Sequence, residues 1–211
     1  MSEIVARLHI ALADTVPTVW RRIDVPVDLN LKMLHDAIQC AMGWHDCHLW
    51  DFDAGGKRYG IPDPDWGMDE TIAAKNSKLA VLLNRGIRQF VYTYDMGDNW
   101  QHLLTVESMR EGEPGTKYPR YLEGARRAPP EDVGGAPGFE GFLDAIRDPK
   151  HPEYLEATEW HLDCYGEAYD PVSFDELNAK LGVGGIAKRR AAGKKSRVSR
   201  KAGGNSTTSP A

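Results

Sequence analysis

Apolar and polar residues alternate from the start of the chain: Ile4, Ala6, Leu8, Ile10 and Leu12 are interleaved with Val5, Arg7, His9 and Ala11, the period of a half-buried strand. A turn follows at Asp14 to Pro17, and Val19 to Val25 resumes an extended pattern, which predicts an opening β-hairpin. The period then lengthens. Leu31, Leu34, Ile38, Ala41 and Met42 recur every three or four residues behind two candidate caps, Asp28 and Asn30, and Gly43 ends the run, which predicts a helix. Short strands are expected at His48 to Phe52 and Lys57 to Gly60, joined at Ala54-Gly55-Gly56, before an irregular acidic excursion beginning at Pro62-Asp63-Pro64-Asp65. A second hairpin is predicted from Arg88 to Tyr94 and Gln101 to Val106, turning at Asp95 to Asn99. Prolines and glycines crowd Glu113 to Gly138, which is predicted to lack regular structure and is too long for an idle connection. Helices are expected at Phe139 to Arg147 and at Phe174 to Leu181, the second capped by Ser173. Strands and helices fall in separate blocks, so the expected fold is α+β. It has a mixed or antiparallel sheet from two β-hairpins, a helix packed after the first hairpin, and C-terminal helices.

Composition divides the chain in two. Lys188, Arg189, Arg190, Lys194, Lys195, Arg197, Arg200 and Lys201 crowd into one stretch without an acid or an aromatic residue, followed by Gly, Ser, Thr and Pro. A segment so poor in apolar side chains is expected to stay unfolded. The reading is therefore one domain over residues 1–181 and a disordered basic tail over 182–211. All 31 acids precede Lys188, leaving the body with a formal charge of −13 behind a modest overall −5. Such a body is a poor phosphate binder, whereas the tail could hold nucleic acid weakly, without sequence preference and in a salt-dependent way. Cys40, Cys47 and Cys164 are odd in number and lack C-x-x-C spacing, as expected of reduced thiols in a cytoplasmic protein. No secretory leader and no membrane-spanning run is visible.

Two polar loops carry the candidate chemistry. In Tyr94-Asp95-Met96-Gly97-Asp98-Asn99-Trp100-Gln101-His102, Gly97 is expected at positive φ, with Asp95 and Asp98 accepting backbone N–H groups. Trp100 and His102 share a strand face, which would bring His102 near the loop. Asp95, Asp98 and His102 then form a candidate divalent-metal or polar-ligand site, or serve only as turn caps and a strand partner. In Arg126-Arg127-Ala128-Pro129-Pro130-Glu131-Asp132-Val133-Gly134-Gly135, Glu131 and Asp132 are either ligands or surface partners of Arg21, Arg22, Arg126 or Arg127. His35, His45 and His48 are each more readily structural than ligating. Trp20-Arg21-Arg22 reads as a hairpin with a stacked arginine. Phosphate-binding glycine loops, a nucleophile elbow, kinase signatures and spaced zinc modules are all missing from the sequence.

Trp20-Arg21-Arg22-Ile23, Leu34-His35-Asp36-Ala37-Ile38-Gln39, Gly43-Trp44 with His48-Leu49, and the two loops occur in this order, and over residues 3–181 the chain resembles the plasmid pRiA4b ORF-3-like family. The resemblance implies an α+β fold and a protein carried on plasmids, bacterial chromosomes and mobile elements as an insertion-sequence passenger, with function unknown. Many such proteins have cysteine where this chain has Tyr121, Ala128 and Val133, and phenylalanine where it has Met96. Only oxygen and imidazole ligands are then expected here, which argues against a structural zinc. The leading functional expectation is a binding or accessory domain in which Tyr94, Asp95, Asp98, Trp100, His102, Glu131 and Asp132 meet over the sheet. The alternatives are a divalent-metal hydrolase built on the same groups and a nucleic-acid accessory protein acting through the tail.

Overall fold

The computed structural model describes residues 3–63 and 70–203, so Pro64 and Asp65 of the acidic excursion and residues 204–211 of the expected tail lie outside the described residues. Eight strands form one sheet: β1 (Ile4–Leu12), β2 (Trp20–Pro26), β3 (Trp50–Asp53), β4 (Arg58–Gly60), β5 (Ile72–Ala73), β6 (Gln89–Tyr94), β7 (Trp100–Glu111) and β8 (Arg120–Ala125). Their order is β5-β4-β3-β6-β7-β1-β2-β8, and every pair is antiparallel except β4 with β5. Among the described residues there are also five α-helices: α1 (Leu31–Met42), α2 (Leu79–Asn84), α3 (Gly135–Arg147), α4 (Tyr154–Tyr165) and α5 (Glu176–Gly203). The α+β expectation holds.

The opening hairpin forms as its alternation dictates, with Ala6, Leu8, Ile10 and Leu12 buried in a strand flanked on both sides by β2 and β7. Asn30 is the cap of α1, its Oδ1 accepting from Met33 N–H at 2.8 Å, while Gly43 at φ 87° closes the helix on Gln39 O. Leu31, Leu34, Ile38 and Ala41 turn the helix onto the core, the ~100° apolar stripe of an amphipathic helix. Asp28, the other candidate, binds Arg190 instead.

Three expectations need correction. First, β7 runs on to Glu111, and Arg120 to Ala125 form edge strand β8 on β2 inside the stretch read as irregular. Prolines at 114 and 119 both precede that strand rather than interrupt it, as edge strands tolerate. Second, β5, α2 and α4 were not foreseen; α4 buries His161 alone, so its periodicity is faint. Third, order does not stop at Leu181. Helix α5 continues to Gly203, with Val183, Ile186 and Ala187 buried where it crosses α1 and β8. Three apolar side chains on one helical face are enough to seat it. Arg190 and Lys194, one turn apart, then bind Glu3 and Asp28. The start is Asp175, which accepts from Asn178 N–H at 2.8 Å, and not Ser173.

Candidate metal centre

Antiparallel pairing puts the start of β3, the end of β6 and the start of β7 at one end of the sheet. Three segments converge there: residues 44–49 after α1, the β6–β7 turn, and residues 129–135 before α3. Asp95 and Asn99, not Gly97, take positive φ in the turn, each at 56°. Both residue types tolerate that conformation. Asp95 Oδ1 accepts from Gly97 N–H at 2.9 Å and Asp98 N–H at 3.3 Å, and Asp95 N–H donates to Leu49 O at 2.9 Å. The turn is thereby tied to the first segment, with Asp95 Oδ2 left free of those bonds.

The two loops meet. Gly134 N–H donates to Asp98 Oδ2 at 3.1 Å. Gly135 packs so closely that a side-chain carbon there would fall 2.6 Å from Asp98 O, and its φ of 68° also favours glycine. Trp44 Nε1–H donates to Pro129 O at 2.9 Å and Glu131 N–H to Tyr165 Oη at 2.7 Å, fixing the approach of the proline pair. Glu131 Oε1 accepts from His45 N–H at 2.9 Å and from the Tyr94 hydroxyl at 3.1 Å. The conformation of this loop is therefore bonded from three directions.

At the junction stands His48. Its Nε2 lies 3.2 Å from Asp132 Oδ1, 3.6 Å from Asp95 Oδ2 and 3.9 Å from Glu131 Oε2, yet it is buried with no hydrogen-bond partner of its own. The carboxylates are close but not aligned to accept, an arrangement that suits a shared cation better than a hydrogen bond. Ligand atoms of His48, Asp95 and Asp132 lie within 4.8 Å of one another, as do those of Cys47, His48 and Glu131. Cys47 N–H donates to Tyr94 Oη at 3.1 Å, with the thiol sulfur 3.7 Å away. Burial pushes the Cys47 thiol and the Tyr94 phenol upward, so both hold their protons at neutral pH.

Of the residues named from sequence, Tyr94, Asp95, Glu131 and Asp132 belong to this cluster, and Asp98 serves it by bonding the second loop. Trp100 is buried, packing edge-on against Phe139. His102 points into the core, with no exposed surface. Its Nδ1 lies 3.2 and 3.1 Å from the carbonyls of Tyr92 and Trp100, and burial lowers its pKa to about 4. It has no place among the grouped ligands. Glu131 and Asp132 face His48 rather than an arginine: Arg22 binds Glu107 and Glu123, and Arg127 binds Glu167. Arg22 also lies over Trp20, as the stacked-arginine reading expects. Sequence reasoning missed Cys47 and weighed His48 as more readily structural than ligating. The signal available was the Gly43-Trp44 to His48-Leu49 motif, which sits one short loop before β3. A thiol donor is present after all, contrary to the expectation of oxygen and imidazole ligands alone. A second histidine group, His35 with Asp36 and Asp46, is fully engaged, since His35 Nδ1 meets Tyr92 Oη and Nε2 meets Asp46 Oδ1, both at 2.7 Å.

The loops just described lie inside a region that matches a profile of the plasmid pRiA4b ORF-3-like proteins over residues 4–178. The chain belongs to that family. A relative, uncharacterized protein y4hQ of Sinorhizobium fredii (strain NBRC 101917 / NGR234), is 38% identical over 180 residues, 84% of this chain and 91% of the relative. The crystal structure of MM3350, a protein of unknown function from Methanosarcina mazei Go1, matches with a TM-score of 0.75 at 33% identity, over 84% of this chain and 98% of that one. The family is one of unknown function. Among the described residues no helix is long and apolar enough to cross a membrane.

Proposed function

We propose that this pRiA4b ORF-3-like chain is a metal-binding domain whose centre is formed by His48 with Asp95, Glu131 and Asp132, and with Cys47 at its edge. One observation carries the reading: three carboxylates from two distant loops stand within 4 Å of a buried imidazole nitrogen that makes no hydrogen bond. Thiol, imidazole and carboxylate together fit a zinc-class cation better than magnesium or calcium, which take oxygen ligands. Asp132, 73% exposed at its side chain, keeps one side of the centre open to solvent, which favours hydrolysis as a second reading. A bound cation would there supply an acidified water.

Elemental analysis of the purified chain is expected to find zinc or a similar transition metal near one equivalent, and His48→Ala to lose it while still folding. Because the Cys47 thiol must shed its proton to ligate, uptake is expected to rise with pH and to fall in Cys47→Ser. Metal-free protein that takes up neither zinc nor manganese in a calorimetric titration would refute the reading.

A further inference from the structure

Residues 127–130, just before Glu131, line a second feature of the structure. There a cleft of about 550 Å³ lies between the end of α1, the end of α4 and the start of α5. Trp44, Tyr165, Tyr169 and Phe174 give it aromatic walls. Behind one of these walls lies a charge. The Arg21 guanidinium lies behind Phe174, 3.9 Å from the ring centroid, with no exposed surface.

Arg21 Nε donates to Ala41 O at 2.7 Å, and Nη1 donates to the carbonyls of Trp20 and Ala125 at 2.8 and 2.9 Å. Among the described residues all its acceptors are thus backbone carbonyls, and Nη2 has none. A buried guanidinium without a counterion is costly, and burial accordingly draws its pKa down to about 10. The Tyr121 hydroxyl is also buried without a partner. Both groups border Gly124, where a side-chain carbon would come within 2.6 Å of Arg21 Cδ and 2.8 Å of Tyr121 Oη. Glycine is what lets both side chains pack against the backbone at that point. Two donors beside one another lack the same thing, an acceptor, and one of them also lacks a negative charge. Water would satisfy the first need and not the second.

We propose that the cleft binds a small aromatic carboxylate, with its ring among the aromatic walls and its carboxylate on Arg21 Nη2 and the Tyr121 hydroxyl. Phe174 is the gate. It is half-buried and lies in a stretch, residues 167–175, that is neither helix nor strand. Turning its ring aside joins the cleft to Arg21. The carboxylate's anchors, Arg21 and Tyr121, are not among the grouped metal ligands.

Benzoate titrated calorimetrically into the full-length chain in the presence of a chelator is expected to bind with a millimolar or tighter Kd. Benzamide, which keeps the ring and loses the charge, is expected to bind at least tenfold more weakly, and inorganic phosphate, which lacks the ring, more weakly than benzoate. Tyr121→Phe is expected to weaken benzoate at least threefold with an unchanged melting temperature. In the unaltered protein, the Arg21 side-chain NMR signals are expected to shift with benzoate, a readout that does not depend on any variant folding. Absence of both heat and Arg21 shift overturns the proposal. Equal binding of benzamide overturns the role of the charge, and phosphate binding as tightly as benzoate overturns the role of the ring.

Discussion

Ile186→Ala tests directly whether α5 is part of the folded body. Ile186 has no exposed surface, on the stretch of α5 that crosses α1 and β8. Truncating a buried isoleucine removes its transfer free energy and leaves a cavity, which together cost about 2–5 kcal/mol. A central value of about 3 kcal/mol corresponds to a melting temperature lower by roughly 6–12 °C for a domain of this size. In urea the midpoint should fall by about 1–3 M, given slopes of ~1–3 kcal/mol per molar. Leu181→Ala is the internal control: Leu181 is 64% exposed, so its change should lie within about 0.5 kcal/mol. Urea melts of both variants, followed by tryptophan fluorescence, make the comparison. If Ile186→Ala proved as mild as Leu181→Ala, the helix beyond Leu181 would not be packed, and the tail would be the solvated segment its composition suggests.

Two further predictions concern buried charge. Burial lowers the pKa values of His35 and His102 to about 4, so below the unfolded value near 6.5 the unfolded chain binds protons that the native one refuses. Stability should therefore be intact above pH ~6.5 and decline as the pH falls toward ~4, by up to roughly 3 kcal/mol for each histidine; a urea midpoint unchanged between pH 7 and 4.5 would contradict this. Asp24 is 1% exposed and holds both Arg7 at 2.9 Å and Arg110 at 2.6 Å. Removing both arginines leaves a buried, unpaired carboxylate and should cost about 3–5 kcal/mol, whereas Asp24→Ala leaves two arginines able to reach water and should cost about 1–3 kcal/mol. The reverse order in denaturant melts would be evidence against this account.

The elements that were legible in the sequence are those whose own side chains carry the period. β1 and α1 bury one face each, and Leu8, Ile10, Leu34 and Ile38 announce it. β8 has no such pattern because its place is set by pairing with β2 from a distant part of the chain, information that no local window contains. Helix α5 was lost for the opposite reason: eight cations outweighed Val183, Ile186 and Ala187, although burying these three side chains sufficed to dock it. In the candidate centre, the paired loops were visible as Asp- and Gly-rich turns. His102 misled because alternation gives a side chain's face but not which face is core. His48 was passed over because its three acidic neighbours come from positions 95, 131 and 132, and nothing in the adjacent residues foretells their arrival.

The central position of β1 has a kinetic consequence. Ile4 pairs with Glu111 across the sheet, and Glu3 is later bound by Arg190. A chain emerging from the ribosome can close the β1–β2 hairpin at once, but one edge of β1 stays unpaired until β7 has been made. Contacts so distant in sequence slow folding, and an apolar strand with an open edge is a template for wrong partners in the meantime. Aggregation during synthesis, rather than loss of native stability, is thus the hazard this topology carries, and the arrival of β7 is what ends it.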